Sequence, residues 1–224
     1  MNKVRYAVVG AGWISQEAFM PAIPQAGNSA ITAIVSGSPD AAGKLAAFHG
    51  VEHVFTYAQY DDMLASDVVD AVYIALPNSL HADYTIRAAK AGKHCLVEKP
   101  LAVTEEDCAA MIAAAEENGV YLMTAYRLHS EPGTLDVIRR IRSGEIGDPR
   151  IFTAVFSITM QPGNHRLEAT HWGGPLQDVG VYCLNAVRHV FGCEPIEASA
   201  MASHGNDNPL FDEVPESVAV TLRF

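Results

Sequence analysis

A glycine-rich turn between an apolar run and a helical segment constrains the fold of this chain most. Residues 4–9 (VRYAVV) precede Gly10-x-Gly12-x-x-Ser15, where a predicted helix begins. In a dinucleotide-binding α/β fold, the first glycine permits a tight turn and the second lets the backbone approach a pyrophosphate. The third position packs helix against strand, and serine is small enough for it. The helix N-terminus would then present N–H groups to the phosphates. The residues of this turn expected to bind the cofactor are Gly10, Gly12, Trp13 and Ile14.

Strand-like and helical segments alternate through the first 125 residues. The predicted strands are 4–9, 30–35, 53–55, 71–75, 94–97 and 120–124. The predicted helices are 13–26, which Pro21 and Pro24 are expected to disturb, 39–48, 61–65, 79–91 and 105–118, the last capped by Thr104. This alternation indicates a doubly wound parallel sheet of the Rossmann type. We therefore predict an NAD(P)-binding domain over residues 1–125.

The pattern changes after residue 125. A predicted helix over 132–142 precedes a long β-type run, Arg150–Met160, and a predicted helix over 175–191 precedes two strand-like runs, 195–204 and 216–224. This order is typical of an α+β domain with a mostly antiparallel open sheet. We assign residues 126–224 to a substrate and oligomerisation domain.

The end of the second predicted strand indicates which dinucleotide is bound. NAD enzymes usually place a carboxylate there to accept from the ribose 2′-OH. Here the sequence is Val35-Ser36-Gly37-Ser38-Pro39, and the nearest acid, Asp40, lies beyond it. Hydroxyls of Ser36 and Ser38, together with Lys44, would suit a 2′-phosphate. We predict NADP, with NAD possible if Lys44 is only a solvated helix residue.

Charge and cysteine content exclude several classes of function. The net charge is −11 and no run of Lys or Arg occurs, so neither nucleic acid nor an anionic membrane is an expected partner. The four cysteines form no C-x-x-C pair, and the spacing of His129, His165 and His171 matches no metal-site pattern. No signal peptide or membrane-spanning apolar run is visible, so we expect a cytoplasmic protein without a metal.

Four segments resemble one enzyme family. They are Val35-Ser36-Gly37, Leu76-Pro77-Asn78-Ser79-Leu80-His81, Glu98-Lys99-Pro100, and the run from Gly173 to Asn185 (GGPLQDVGVYCLN). Together they are similar to the glucose–fructose oxidoreductase/inositol dehydrogenase/rhizopine-catabolism (Gfo/Idh/MocA) family, above all to its glucose–fructose oxidoreductase branch. The resemblance implies an NADP-dependent oxidoreductase acting on a sugar (aldose or pyranose) or polyol, and a homo-oligomer formed through the C-terminal sheet. It also implies an incomplete second domain, because family members continue well beyond this length.

Three residues are the expected catalytic group. Lys99 follows the carboxyl end of a predicted parallel strand, where open α/β sheets bind ligands, and Pro100 restricts it to an extended conformation. Asp178 and Tyr182 are four residues apart and so share one face of a predicted helix. The resemblance implies that Lys99 takes part in catalysis and substrate orientation, that Tyr182 donates or accepts the proton, and that Asp178 orients them. The structural alternatives are a helix-terminal charge for Asp178 and a core aromatic for Tyr182.

The resemblance also implies contacts around this group. Cofactor contacts would come from Leu76, Pro77, Asn78, His81, Glu98, Lys99 and Arg127. Glu98 would lie near the nicotinamide ribose or its pocket, and Arg127, after the sixth predicted strand, would face the cofactor or the substrate. Substrate contacts would come from Lys99, Arg166, Asp178, Tyr182 and Asn185. Capping of the following helix is the alternative for Asn78 and His81. Relatives often have Asn-Trp-Arg-Leu where this chain has Asn164-His165-Arg166-Leu167, so His165 replaces the tryptophan of that loop.

Two other functions are compatible with the same fold. One is a cofactor-binding regulator or an inactive truncated homologue, which the short length favours and the retained Lys99, Asp178 and Tyr182 oppose. The other is an inositol dehydrogenase-like NAD enzyme, although that branch favours histidine at the position of Tyr182.

Overall fold

The structure, a computed structural model, describes residues 3–205 and 208–224. The chain divides into two compact units, with the first ending at Ala125 and the second beginning at Tyr126. Each unit has its own sheet.

The first unit is built on a six-stranded parallel sheet in the order β3-β2-β1-β4-β5-β6. Its strands are β1 (Val4–Val9), β2 (Ser29–Val35), β3 (His53–Phe55), β4 (Ala71–Ile74), β5 (His94–Glu98) and β6 (Leu122–Ala125). Its helices are α1 (Met20–Ala26), α2 (Pro39–His49), α3 (Tyr60–Ala65), α4 (His81–Lys90) and α5 (Glu105–Glu117). The strand order reverses between β1 and β4, and this switch point is where such sheets bind dinucleotides. The predicted Rossmann-type sheet is confirmed.

Alternate residues of the central strands are buried on opposite faces of this sheet. Ala7 and Val9 of β1 face the cluster that includes Met63 and Met111 of α3 and α5. Val8, between them, faces the cluster that includes Met20 of α1 and residues of α2. Because both faces are covered, the strands are near-continuous apolar runs without polar alternation.

The predicted helix over 13–26 is interrupted by one π turn, Ser15–Phe19, before α1. The N–H of Met20 donates to the carbonyl of Ser15, five residues earlier. Pro21 has no N–H, and its ring would collide with the carbonyl four residues back in a regular α-helix. A wider turn before Pro21 removes that collision, which accounts for the π geometry.

The second unit contains α6 (Pro132–Arg142), α7 (Val181–Phe191) and an antiparallel pair, β7 (Glu197–Ser203) and β8 (Ser217–Arg223). A second π turn, Leu176–Gly180, leads directly into α7.

The prediction of a strand over Arg150–Met160 is wrong for this structure. The segment is not a strand, and none of the pairings described for residues 3–205 and 208–224 involves it. Ile151 is 87% exposed and Val155 is 90% exposed. β-branched residues favour extended backbone, but a strand also needs a neighbour to receive its hydrogen bonds.

Candidate functional site

The carboxyl ends of β1 and β4 approach each other closely at Gly10. This glycine has φ +94°, and a Cβ atom there would lie 2.3 Å from the carbonyl oxygen of Ala75, just after β4. Its N–H donates to the carbonyl of Val35 at the end of β2 (3.0 Å). Gly10 is therefore required by both its backbone conformation and the neighbouring strand, a stronger constraint than the tight turn alone.

Gly12 and Ser15 complete the glycine loop in different ways. A Cβ atom on Gly12 would meet nothing within 4 Å, so the space above this residue is open. Ser15 is fully buried, and its hydroxyl donates to the carbonyl of Gly10 (2.6 Å). Trp13 is 75% exposed beside the loop, and Ile14 is half-buried. An open cradle before a helix N-terminus suits a pyrophosphate, so these residues fit a dinucleotide.

Hydroxyl groups, and no carboxylate, occupy the tip of β2. The hydroxyl of Ser36 accepts from the N–H of Ser38 (3.3 Å), and the N–H of Ser36 donates to the carbonyl of Phe55 (3.0 Å). A Cβ atom on Gly37 would lie 3.2 Å from the Tyr57 ring. Lys44 is exposed on α2. The tip therefore offers donors to an anionic group.

Five of the predicted cofactor residues lie at the ends of β4 and β5, on the same edge of the sheet: Leu76, Pro77 and Asn78 follow β4, Glu98 is the last residue of β5, and Lys99 follows it. Leu76 is buried, whereas the other four residues are half-buried. Asn78 begins a short 3-10 turn, Asn78–Leu80, that leads into α4. These cofactor residues, which were predicted from the sequence, therefore lie along one edge of the sheet.

Sequence reasoning missed Tyr73, a buried residue of β4. Its hydroxyl donates to Oε1 of Glu98 (2.6 Å). Burial, and then the adjacent Glu98 carboxylate, raise the pKa of Tyr73 far above its usual range, so the phenol stays protonated. In the sequence it is one more member of the apolar run AVYIA. The tyrosine hydroxyl is the only polar side-chain group in that run, and this was the signal that could have identified Tyr73.

The direct cofactor contact predicted for His81 needs correction. The side chain is fully buried, with Nδ1 2.8 Å from the carbonyl oxygen of Pro100 and Nε2 2.9 Å from that of Leu76. Burial lowers the pKa of His81, although the two carbonyls partly oppose this effect. Because no face of the imidazole reaches solvent, we revise its role to a tether between the two loops.

Arg166 and Asp178 form an ion pair in the second unit, with Arg166 Nε 2.8 Å from Asp178 Oδ2. The Asp178 side chain is only 11% exposed and lies in the π turn before α7. The N–H of Gly174 donates to the carbonyl of Arg166 (2.9 Å), and a Cβ atom on Gly173 would lie 2.3 Å from that same oxygen. The two glycines thus allow the Arg166 loop to fold back onto the start of the helix.

Tyr182 lies in an aromatic group of the second unit. Its ring stacks on Phe156 (centroids 5.2 Å apart, planes at 11°) and is tilted against Tyr126 (5.4 Å). The pKa of Tyr126 is raised to about 12, mainly by burial and to a smaller extent by the nearby Tyr182 and Cys183.

The remaining two predicted contacts of this unit differ in their surroundings. Asn185 Oδ1 lies 3.1 Å from His129 Nε2. Arg127 is exposed at the start of a 3-10 turn, Arg127–His129. The π turn also means that Asp178 and Tyr182 do not share one uninterrupted α-helical face, as the sequence suggested.

Within residues 3–205 and 208–224, no three His, Cys, Asp or Glu side chains are grouped so that they could hold a metal ion. In the same part of the chain, no helix is long and apolar enough to span a membrane.

Both units match known protein families. Residues 4–126 match the oxidoreductase family GFO_IDH_MocA, described as having an NAD-binding Rossmann fold. The chain belongs to the GFO/IDH/MocA oxidoreductase family. Residues 134–224 match a GFO/IDH/MocA C-terminal domain. The resemblance inferred from the four sequence segments is therefore confirmed.

Several members of the GFO/IDH/MocA family are similar over most of this chain. The D-xylose 1-dehydrogenase [NADP(+)] of Haloarcula marismortui is 34% identical over 96% of this chain and 61% of its own length. The scyllo-inositol 2-dehydrogenase (NADP(+)) of Bacillus subtilis is 34% identical over 84% of this chain and 58% of its own length. The chain thus spans about three fifths of these relatives.

A solved structure has the same fold. The aldose-aldose oxidoreductase of Caulobacter crescentus, crystallised with glycerol, has a TM-score of 0.89 and 34% identity. That match covers 99% of this chain and 67% of the other.

Proposed function

We propose that this chain belongs to an NADP-dependent oxidoreductase that transfers a hydride between a CH–OH group of a sugar or polyol and the nicotinamide ring. The observation that carries the proposal is the position of Lys99, directly after β5, at the sheet edge that also bears the open glycine loop. The named substrates of the xylose and inositol dehydrogenases support a sugar or polyol class.

The first unit would hold the dinucleotide along its sheet edge. Backbone N–H groups after Gly12 would bind the pyrophosphate, and Ser36, Ser38 and Lys44 would bind a 2′-phosphate. Bound NADP(H) supplies the hydride acceptor or donor. Two similar proteins have names that specify NADP(+), and a 3-ketoreductase of Actinomadura kijaniata (TM-score 0.83, 35% identity) was crystallised with NADP. NAD remains the second cofactor to test.

The chain's own residues would manage the proton that accompanies hydride transfer. Oxidation of a CH–OH group releases the hydroxyl proton, so a general base must accept it. We assign this role to Tyr182, which would accept the proton as its phenolate and, in the reverse direction, donate it as the phenol, with Lys99 holding the substrate oxygen. Asp178, which is held by Arg166, would accept from sugar hydroxyls. Asn185 would make a further substrate hydrogen bond.

We also propose that the protein assembles into a homo-oligomer through the sheet of the second unit. All seven residues of β7 are exposed, and Met201 on that strand is 77% exposed. Apolar side chains on an open sheet are frequently covered by a second copy.

A reducing, cytoplasmic location is part of the same proposal. The thiols of Cys95, Cys108, Cys183 and Cys193 are all free, as is usual for cytosolic proteins.

The first experiment is a titration of the purified chain with NADPH and NADH, followed by nicotinamide fluorescence. We expect NADPH to bind at least about tenfold more tightly, as expected for a site with donors and no carboxylate. Ser36→Asp should reverse this preference, whereas Ser29→Ala, at the other end of β2, should leave it unchanged. No binding of either nucleotide by the folded protein would refute the proposal.

Turnover is the second experiment. NADP reduction would be followed with D-xylose, D-glucose and scyllo-inositol as substrates. Lys99→Ala and Tyr182→Phe should each abolish most of the sugar-dependent rate, and Tyr182→Phe, which lies outside the predicted cofactor contacts, should keep NADPH binding. Tight NADPH binding without any turnover would favour the regulator alternative, and full activity in either variant would exclude the proposed proton transfer.

A further inference from the structure

Tyr73 is held in one orientation by an aromatic stack. Its ring is 3.8 Å from that of Phe19, with the planes only 11° apart. Tyr6 of β1 packs edge-on against Phe19, with the two ring centroids 5.7 Å apart. Phe19 is the last residue of the π turn that follows the glycine loop. The hydroxyl of Tyr73 is therefore fixed relative to the phosphate-binding loop.

The hydroxyl of Tyr73 holds one carboxylate oxygen of Glu98 in place. Tyr73 is only 2% exposed, and its O–H donates to Glu98 Oε1 (2.6 Å). The other oxygen, Oε2, accepts from the backbone N–H of Lys99 (3.3 Å). An ionised carboxylate has about four lone-pair sites, so acceptor capacity remains for a further donor.

The strand order indicates which part of the cofactor Glu98 would meet. The tip of β2 reads the adenosine ribose, and the loop after β1 holds the pyrophosphate. β4 and β5 follow β1 in the sheet on the side away from β2. On the proposed function, the nicotinamide half must therefore extend over the ends of β4 and β5, where Glu98 lies. The ribose hydroxyls of that half are donors, which suit a carboxylate.

We propose that Tyr73 is a positioning residue for the nicotinamide end of the cofactor. By fixing Glu98, it presents the carboxylate to the nicotinamide ribose without touching the cofactor. The adenosine end should not depend on it, since Ser36, Ser38 and Lys44 lie beyond the glycine loop. This inference rests on the proposed function.

The test compares two ligands on the Tyr73→Phe variant of the full chain. NADPH has both halves, whereas adenosine 2′,5′-bisphosphate lacks the nicotinamide half. We expect Tyr73→Phe to weaken NADPH binding roughly tenfold, the scale for a hydrogen bond to a charged group. Binding of the bisphosphate should be unchanged. Tyr60→Phe is the matched control, because it removes another buried tyrosine hydroxyl, one that donates to the carbonyl of Tyr84 (3.0 Å).

A second variant tests whether Tyr73 acts through Glu98. Glu98→Gln should weaken NADPH binding, and adding Tyr73→Phe to it should cause little further loss. An equal loss in both backgrounds, unchanged NADPH binding by Tyr73→Phe, or a parallel loss of bisphosphate binding would each overturn the positioning role. Failure of the wild-type protein to bind NADPH would be a different result: it would refute the proposed function and, with it, the role of Tyr73.

Discussion

Nδ1 of His81 lies 2.8 Å from the carbonyl oxygen of Pro100, and this contact ties the start of α4 to the loop after β5. The opposite nitrogen faces the carbonyl of Leu76, after β4. One buried ring thus joins the two loops that carry Asn78 and Lys99.

Replacement of His81 by alanine should destabilise the first unit. It removes the one N–H that the neutral imidazole donates to these carbonyls and opens a cavity in the core, at a cost of about 3 kcal/mol. Urea denaturation would measure the change in the free energy of unfolding. His49→Ala, in the last turn of α2, is the control and should cost less than about 1 kcal/mol. Equal losses would show that His81 is not a tether.

The same histidine should make stability depend on pH. Burial lowers the pKa of folded His81, whereas the unfolded chain takes up this proton near the ordinary value of 6.5. Just below that pH the unfolded state binds more protons, so stability falls as the solution is acidified. We expect this fall to be shallower in His81→Gln, as measured by urea denaturation at several values between about pH 7.5 and 5.5. Identical slopes would contradict the assignment.

Gly10 and Gly12 should respond differently to alanine. A Cβ on Gly10 meets the Ala75 carbonyl at 2.3 Å and the residue has positive φ, so Gly10→Ala should cost about 3 kcal/mol or more of unfolding free energy. Gly12 has open space, so Gly12→Ala should keep stability within about 1 kcal/mol. It should still lose roughly tenfold in NADPH affinity, because the methyl enters the pyrophosphate space. A stable Gly12→Ala protein with normal affinity would mean that phosphates bind elsewhere.

The Arg166–Asp178 pair should be coupled energetically. Arg166→Met deprives a buried carboxylate of its guanidinium and should cost about 2 kcal/mol, less than a fully buried pair because Arg166 is partly exposed. Asp178→Asn should cancel much of that loss in the double variant. The exposed pair of Arg188 and Glu194 offers a control, and Arg188→Met should cost less than about 1 kcal/mol. Additive losses for Arg166→Met and Asp178→Asn would rule out the coupling.

Local signals in the sequence were enough to predict the first unit. Apolar runs mark its strands, and Thr104 caps α5 as expected, with its hydroxyl accepting from the N–H of Asp107 (3.0 Å). Arg150–Met160 was mispredicted because residue preference shows extended backbone but not whether a neighbouring strand is present. Pro21 indicated a disturbed helix, but the sequence does not show that the disturbance takes the form of a π turn at Ser15–Phe19.

The site was predicted less completely than the fold. Glu98 and Lys99 were predicted from a motif at the carboxyl end of a strand, and both lie at that end of β5. The other side chains were not predicted correctly because their contacts depend on which groups are buried. His81 faces inward to two carbonyl groups, and Tyr73, in the core, donates a hydrogen bond to Glu98. The direction in which a side chain points, and a partner 25 residues away, cannot be read from local sequence.

The π turn before α1 also has a consequence for comparing this chain with its homologues. A π turn closes its hydrogen bond over five residues rather than four, so the segment Ser15–Phe19 holds one residue more than a regular helix would need. A homologue that lacks proline at the position of Pro21 could lose that residue and keep both the glycine loop and α1 in place. Alignment gaps in this region therefore belong opposite Gln16–Phe19, and a gap placed within the glycine turn would misassign the phosphate-binding residues.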